Sequence, residues 1–223
     1  MKPKAILFDL DGTLTDNSVG ITNGCLYAQK AMGLPQWSRE ELLCFIGPPL
    51  IEAFMEKWSL TREQAIQALG YYREYYARQG ILENRPYEGI KEVLKSLKEK
   101  GARLFVATSK PEPSSLKILE RFGLLPYFEG VVGSLLNDTR TMKDEVILYC
   151  MEHYKLCRDT TLMVGDRSHD VLGAKAAGLP CVGVLYGFGT EEELTEAGAF
   201  AIARDLQALE PMLIKWMNDS RRA

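Results

Sequence analysis

The chain has 223 residues, 46% hydrophobic and 26% charged, and a chain of this kind can bury roughly 70–75% of its unfolded surface, which excludes disorder. At about 100–200 residues per domain, the length allows one large domain or a domain carrying an insertion. Its 27 Lys and Arg against 30 Asp and Glu leave a formal charge of -3, too even for general adhesion to a phosphate backbone, so no nucleic-acid partner is expected.

The amino terminus offers only four apolar residues, Ala5 to Phe8, before Asp9 interrupts them, which predicts a strand rather than an export signal. No stretch approaches the roughly 20 apolar residues of a membrane span, so no membrane partner and a cytoplasmic location are expected. Residues 16 to 85 show no strand pattern. They hold two capping boxes, Ser38 with Glu41 and Thr61 with Gln64, and Tyr71, Tyr72, Tyr75 and Tyr76 at helical spacing, which predicts a small all-helical insertion with the tyrosines in its core. Gly47, Pro48 and Pro49 form a rigid turn between its helices, and Pro86, Tyr87 and Gly89 read as the hinge by which the chain returns.

From Ile90 onward helical and strand patterns alternate. Helices are predicted at 90–100, 112–122, 142–154 and 169–177, and strands at 103–107, 130–133, 161–164 and 181–184, with Gly101, Gly123 and Gly178 closing three of the helices. Such alternation predicts an α/β fold, a Rossmann-like parallel sheet flanked by helices, with the helical segment inserted after the first strand. The expected domains are 1–15 with 86–223, and 16–85. Five scattered cysteines, Cys25, Cys44, Cys150, Cys157 and Cys181, lack the spacing of a zinc or redox pair and are expected to be reduced core thiols.

In open parallel sheets ligands bind at the carboxyl ends of the strands. The first strand runs into Asp9, Leu10, Asp11, Gly12 and Thr13; the strand at 103 into Thr108, Ser109 and Lys110; the strand at 161 into Gly165, Asp166 and Arg167, with Asp170 beyond. Lys143 opens a helix. Packed carboxylates repel, at about 4 kcal/mol for two unit charges 4 Å apart at an effective dielectric of 20, so cations must accompany them. A hard divalent ion with oxygen ligands meets this need, and Mg²⁺ suits a site shared with a substrate phosphate.

Asp-Leu-Asp-Gly-Thr at 9–13, the strand ending in Thr108, Lys143, and Gly-Asp-x-x-x-Asp at 165–170 together resemble the four signature motifs of the haloacid dehalogenase superfamily, in order and over residues 4 to about 185. The helical insertion resembles the cap of its phosphoglycolate phosphatase-like subfamily. The resemblance implies a Mg²⁺-dependent phosphatase acting on a small phosphorylated metabolite. Asp9 would be the nucleophile that takes the phosphoryl group, and Asp11 the acid and base, oriented by Thr13. Gly12, Thr13, Thr108, Ser109 and Lys143 would hold the phosphate. Mg²⁺ would sit on Asp9, Asp166 and the Asp11 main-chain carbonyl, with Asp170 reaching the ion through water or holding Lys143. The Gly47–Pro48–Pro49 turn would be a substrate-specificity loop. His153 and His169 have no ligand-like spacing. Phosphoglycolate and 5′-nucleotides are the candidate substrates, a sugar phosphomutase is the near alternative, and a phosphoaspartate switch protein is the alternative of another class. The chain is expected to be a monomer or homodimer.

Overall fold

The computed structural model describes residues 3–137 and 139–219. Residues 1, 2, 138 and 220–223 of the expected sheet domain lie outside them. The described residues fall into two compact units, one holding the chain up to Thr15 and again from Pro86, the other Asp16–Arg85.

In the sheet unit the strands are β1 (Ala5–Phe8), β4 (Arg103–Pro111), β5 (Gly130–Ser134), β6 (Thr161–Gly165), β7 (Cys181–Val184) and β8 (Ala201–Ala203). They form one sheet in the order β5-β4-β1-β6-β7-β8 with parallel pairings throughout. Ile6 lies between Leu104 and Leu162 in register, so β1 is central and its end is flanked by the end of β6 and by Val106, from which β4 runs on to Pro111. All four residues of β1 are buried, as expected of a strand covered on both faces. One face carries Leu7, Phe105 and Met163 against Val146, Ile147 and Val171 in a single apolar cluster. The flanking helices are α5 (Ile90–Glu99), α6 (Glu112–Arg121), α7 (Lys143–His153), α8 (Ser168–Ala176), α9 (Glu191–Ala197) and α10 (Leu206–Met217). Those from α5 to α8 occupy the segments that their apolar periodicity predicts. The elements after β7 carry no such prediction: β8 has three residues and α9 seven, too few for a periodic signal, and Pro211 interrupts the pattern of α10.

The other unit comprises α1 (Ser18–Met32), α2 (Arg39–Leu42), α3 (Leu50–Lys57) and α4 (Arg62–Arg78). Both capping boxes are present, with Ser38 accepting from the Glu41 N–H and Thr61 from the Gln64 N–H. The expectation of no strand in 16–85 needs correcting at its ends. β2 (Thr15–Asp16) and β3 (Arg85–Pro86) pair as a two-residue ribbon, which is too short to leave a pattern in the sequence. Tyr72 and Tyr76 are buried and stacked on each other, whereas Tyr71 and Tyr75 are half-buried. The Gly47–Pro48–Pro49 turn directly precedes α3 and is half-buried.

Three of the five cysteines, Cys25, Cys150 and Cys181, are buried core thiols, while Cys44 and Cys157 are only partly covered. Burial pushes the Cys150 thiol up to about 12, so it stays protonated and inert. Among the described residues no helix is long and apolar enough to cross a membrane.

Candidate active site

The site lies at the carboxyl end of β1 and is built wholly within the sheet unit. As the chain leaves the strand, the Asp9 N–H bonds the Val164 carbonyl at 2.9 Å, and the next residues fold into a tight turn in which the N–H groups of Leu14 and Thr15 both bond the Leu10 carbonyl. Gly12 makes this turn possible. Its φ of +87° is in the left-handed region, and a Cβ there would collide with the Asp166 carboxylate. Its N–H is engaged with the Thr15 carbonyl at 2.8 Å, so the residue contributes shape to the turn rather than a free donor.

Three carboxylates converge. Asp9, Asp166 and Asp170 each bring an oxygen to within 4.8 Å of the others, and all three residues are buried. Lys143 stands among them. Its Nζ lies 2.6 Å from Asp9 Oδ1 and 2.7 Å from Asp170 Oδ1, and it also donates to the Ala107 carbonyl at 3.3 Å. Gly173 admits the lysine stem, since a Cβ there would stand 2.7 Å from Lys143 Cγ. Burial works against the Lys143 charge, but the flanking Asp170 and Asp9 outweigh it and raise the ammonium above its ordinary value. For Asp9 burial prevails over the pull of Lys143 and lifts the carboxyl. Asp166 is lifted well above the carboxylate range by burial and then by repulsion from Asp170 and Asp9.

Asp170 thus holds Lys143 directly, and it also accepts the Arg167 N–H at 3.0 Å. The expected partnership of Thr13 with Asp11 is not what forms. The fully buried Thr13 hydroxyl donates to Asp166 Oδ1 at 3.2 Å, because the left-handed turn at Gly12 carries Thr13 across to the end of β6. Asp11 is instead paired with Lys110, Nζ to Oδ2 at 2.8 Å, both side chains at least nine-tenths buried. The strand expected at 103–107 runs on to Pro111, with an irregularity after Ala107, so Thr108, Ser109 and Lys110 lie within β4; buried Thr108 accepts the Lys110 N–H at 3.3 Å, and Ser109 is half-buried. His153 packs between Tyr149 and Tyr154, and His169 is exposed.

Two features escape the reading of the sequence. Lys110 is visible there as a strand-end residue but carries no assigned partner. The loop after β7 approaches Asp166, with the Phe188 N–H donating to Asp166 Oδ2 at 2.9 Å. Its signal is Gly-Phe-Gly at 187–189, glycines at the carboxyl end of yet another strand.

The donor set suits a hard divalent cation. Three buried carboxylates face one ammonium, every ligand atom on offer is an oxygen, and the Asp166 carboxyl shows the unrelieved repulsion that a cation would remove. Among the described residues, Asp9, Asp166 and Asp170 form the cluster able to hold it.

Comparison with known proteins agrees with this geometry. A family model described as haloacid dehalogenase-like hydrolase matches residues 6–184. A 5′-nucleotidase of Pseudomonas aeruginosa is 41% identical over 208 residues, 93% of this chain and 94% of that protein. A phosphoglycolate phosphatase of Vibrio parahaemolyticus is 28% identical over 92% of this chain and 94% of its own length. A solved structure from Clostridium acetobutylicum, described as a predicted phosphatase, superposes with a TM-score of 0.94 at 43% identity, covering 96% of this chain and 99% of that one.

Proposed function

Because the chain belongs to the haloacid dehalogenase-like hydrolases and is a phosphatase of that family, we propose that it hydrolyses small phosphomonoesters through an aspartyl phosphate on Asp9. The observation that carries this reading is the buried cluster of Asp9, Asp166 and Asp170 around Lys143 at the strand ends.

Asp9 attacks phosphorus with one carboxylate oxygen as the bond from phosphorus to the leaving oxygen breaks. Asp11 gives its proton to the departing alkoxide. In the second half Asp11 takes a proton from water as that water attacks phosphorus, the bond to Asp9 breaks, and inorganic phosphate leaves. Lys110, whose Nζ lies 2.8 Å from Asp11 Oδ2, fixes the position of Asp11. Lys143 holds Asp9 against the repulsion of Asp170 and offers its charge to a phosphoryl oxygen. Thr108 and Ser109 of β4 supply donors. Mg²⁺, held by Asp9, Asp166 and the Asp11 main-chain carbonyl with Asp170 close by, would neutralise charge on the transferring phosphoryl group.

The helical unit serves as the cap that selects the leaving group, with Gly47, Pro48 and Pro49 as its specificity turn. Among substrates a 5′-nucleotide stands ahead of phosphoglycolate, since the relative described as a 5′-nucleotidase is 41% identical and that described as a phosphoglycolate phosphatase 28%.

The test is phosphate release from a panel of 5′-nucleotides, phosphoglycolate and sugar monophosphates, with Mg²⁺ and after chelation. Turnover lost on chelation, with the far-ultraviolet circular dichroism unchanged, supports the reading. Equal activity without the metal overturns the Mg²⁺ assignment, and sugar-phosphate isomerisation without phosphate release overturns hydrolysis.

A further inference from the structure

The segment from Tyr186 to Glu193, the loop after β7 with the first turn of α9, touches the acidic cluster at several points. The Tyr186 hydroxyl donates to the Thr13 carbonyl at 3.1 Å, and the Phe188 N–H to Asp166 Oδ2 at 2.9 Å. A Cβ on Gly187 would collide with Asp166 Cβ and the Gly12 carbonyl oxygen, and one on Gly189 with the Asp166 carbonyl oxygen. One oxygen of Glu193, Oε1, accepts three donors: the Ser168 N–H at 2.7 Å, the Ser168 hydroxyl at 2.8 Å and Arg167 Nε at 3.0 Å. Arg167 and Ser168 lie between Asp166 and Asp170.

A physical need matches this arrangement. Asp166 closes β6 and Asp170 lies in the first turn of α8, so the chain from 167 to 169 sets the distance between two carboxylates that repel each other. The first N–H groups of a helix have no partner within it. Here the Ser168 N–H is taken by Glu193 and the Arg167 N–H by Asp170. Glu193 therefore fixes where α8 begins, and its negative charge sits at the positive end of that helix.

We infer that Tyr186–Glu193 is a brace that sets the spacing of Asp166 and Asp170 for a divalent cation, with Glu193 as a positioning residue acting through Ser168 and Arg167. The inference rests on the reading of the cluster as a Mg²⁺ site. Glu193 acts through its bonds to Ser168 and Arg167, not as a ligand. It acts as the outer partner of metal-binding groups does, where substitution commonly weakens affinity about 10–100-fold.

The test uses the full chain without substrate. Mg²⁺ binding is measured by isothermal titration calorimetry for wild type, Glu193→Ala, Glu193→Gln and Gly187→Ala, alongside thermal melts in chelator. Glu193→Ala is expected to weaken Mg²⁺ binding about tenfold or more, with kcat at saturating Mg²⁺ falling less than the affinity. Glu193→Gln, which keeps an acceptor for the Ser168 N–H, should lie between it and wild type. Gly187→Ala should weaken binding by displacing the loop from Asp166. Wild-type Mg²⁺ affinity in Glu193→Ala, with only a lowered Tm, would overturn the brace and leave Glu193 as a helix cap. If Glu193→Ala does not fold, wild-type affinity in both Glu193→Gln and Gly187→Ala overturns it equally. Absence of Mg²⁺ binding by wild type would overturn the reading of the site itself, and the brace with it.

Discussion

The interior of the sheet unit includes Asp9, Asp11, Lys110, Lys143 and Asp170, held against one another in ion pairs of 2.6–2.8 Å, with Asp166 buried beside them. The interior of the helical unit is aromatic instead. Phe54 and Trp58 stack face to face at 4.3 Å and 4°, Phe45 meets Trp58 at 4.9 Å, and Tyr72 stacks on Tyr76 at 5.5 Å. Its ion pairs, such as Arg85 with Asp16 at 2.9 Å, are open to solvent on at least one side. The difference separates two jobs. Buried charges in the sheet unit are costly to assemble and justified by chemistry, whereas the aromatic core of the helical unit supplies stability through buried area and ring packing. Substitutions in the two units should therefore fail in different ways.

The largest effect on stability belongs to the helical unit. Phe54→Ala empties a fully buried aromatic site and is expected to lower its stability by about 3–5 kcal/mol, read by chemical denaturation. The rate on p-nitrophenyl phosphate should fall only as far as the folded population does. A loss of kcat beyond that would break the division of labour.

Lys110→Met reverses the pattern. It removes the partner of Asp11 and should lower kcat about 10–100-fold, a modest share of what acid–base catalysis contributes. The Tm should also fall, because the buried Asp11 carboxylate loses its cation, but the loss of kcat should exceed the loss of folded protein. Unchanged kcat would remove Lys110 from the mechanism.

The smallest effect is expected at Asp16. Burial pushes its carboxyl up, but the N–H and hydroxyl of Ser18 and the Arg85 guanidinium outweigh this and hold it below the usual range. A depressed carboxylate stabilises the fold fully above its unfolded value near pH 4, and that stabilisation is lost as pH falls through the folded value. Asp16→Asn should thus cost less than about 1 kcal/mol at neutral pH, as a solvent-screened pair does. The difference from wild type should vanish in acid. A difference that grew on acidification would contradict the assignment.

Much of the sheet unit was legible because its strands are continuous apolar runs and its helices close at Gly101, Gly123 and Gly178. The cluster was legible because strand-end residues converge in any parallel sheet. Side-chain partners were not. Thr13 turns to Asp166 rather than Asp11 because one left-handed residue redirects the chain, and Asp11 finds Lys110 across 99 positions of sequence. The brace escaped notice for another reason. Tyr186–Glu193 runs into a helix of seven residues that is followed by a strand of three, where periodicity is silent and only the glycine pair marks a close approach.

The central claim is that Asp9 carries the phosphoryl group. Wild type mixed with substrate and Mg²⁺, quenched in acid during turnover and digested, should yield the peptide containing Asp9 heavier by one phosphoryl group and labile to hydroxylamine, while Asp9→Asn gives no such adduct and no turnover. A phosphoryl group found on any other residue, or turnover retained by Asp9→Asn, would contradict the account.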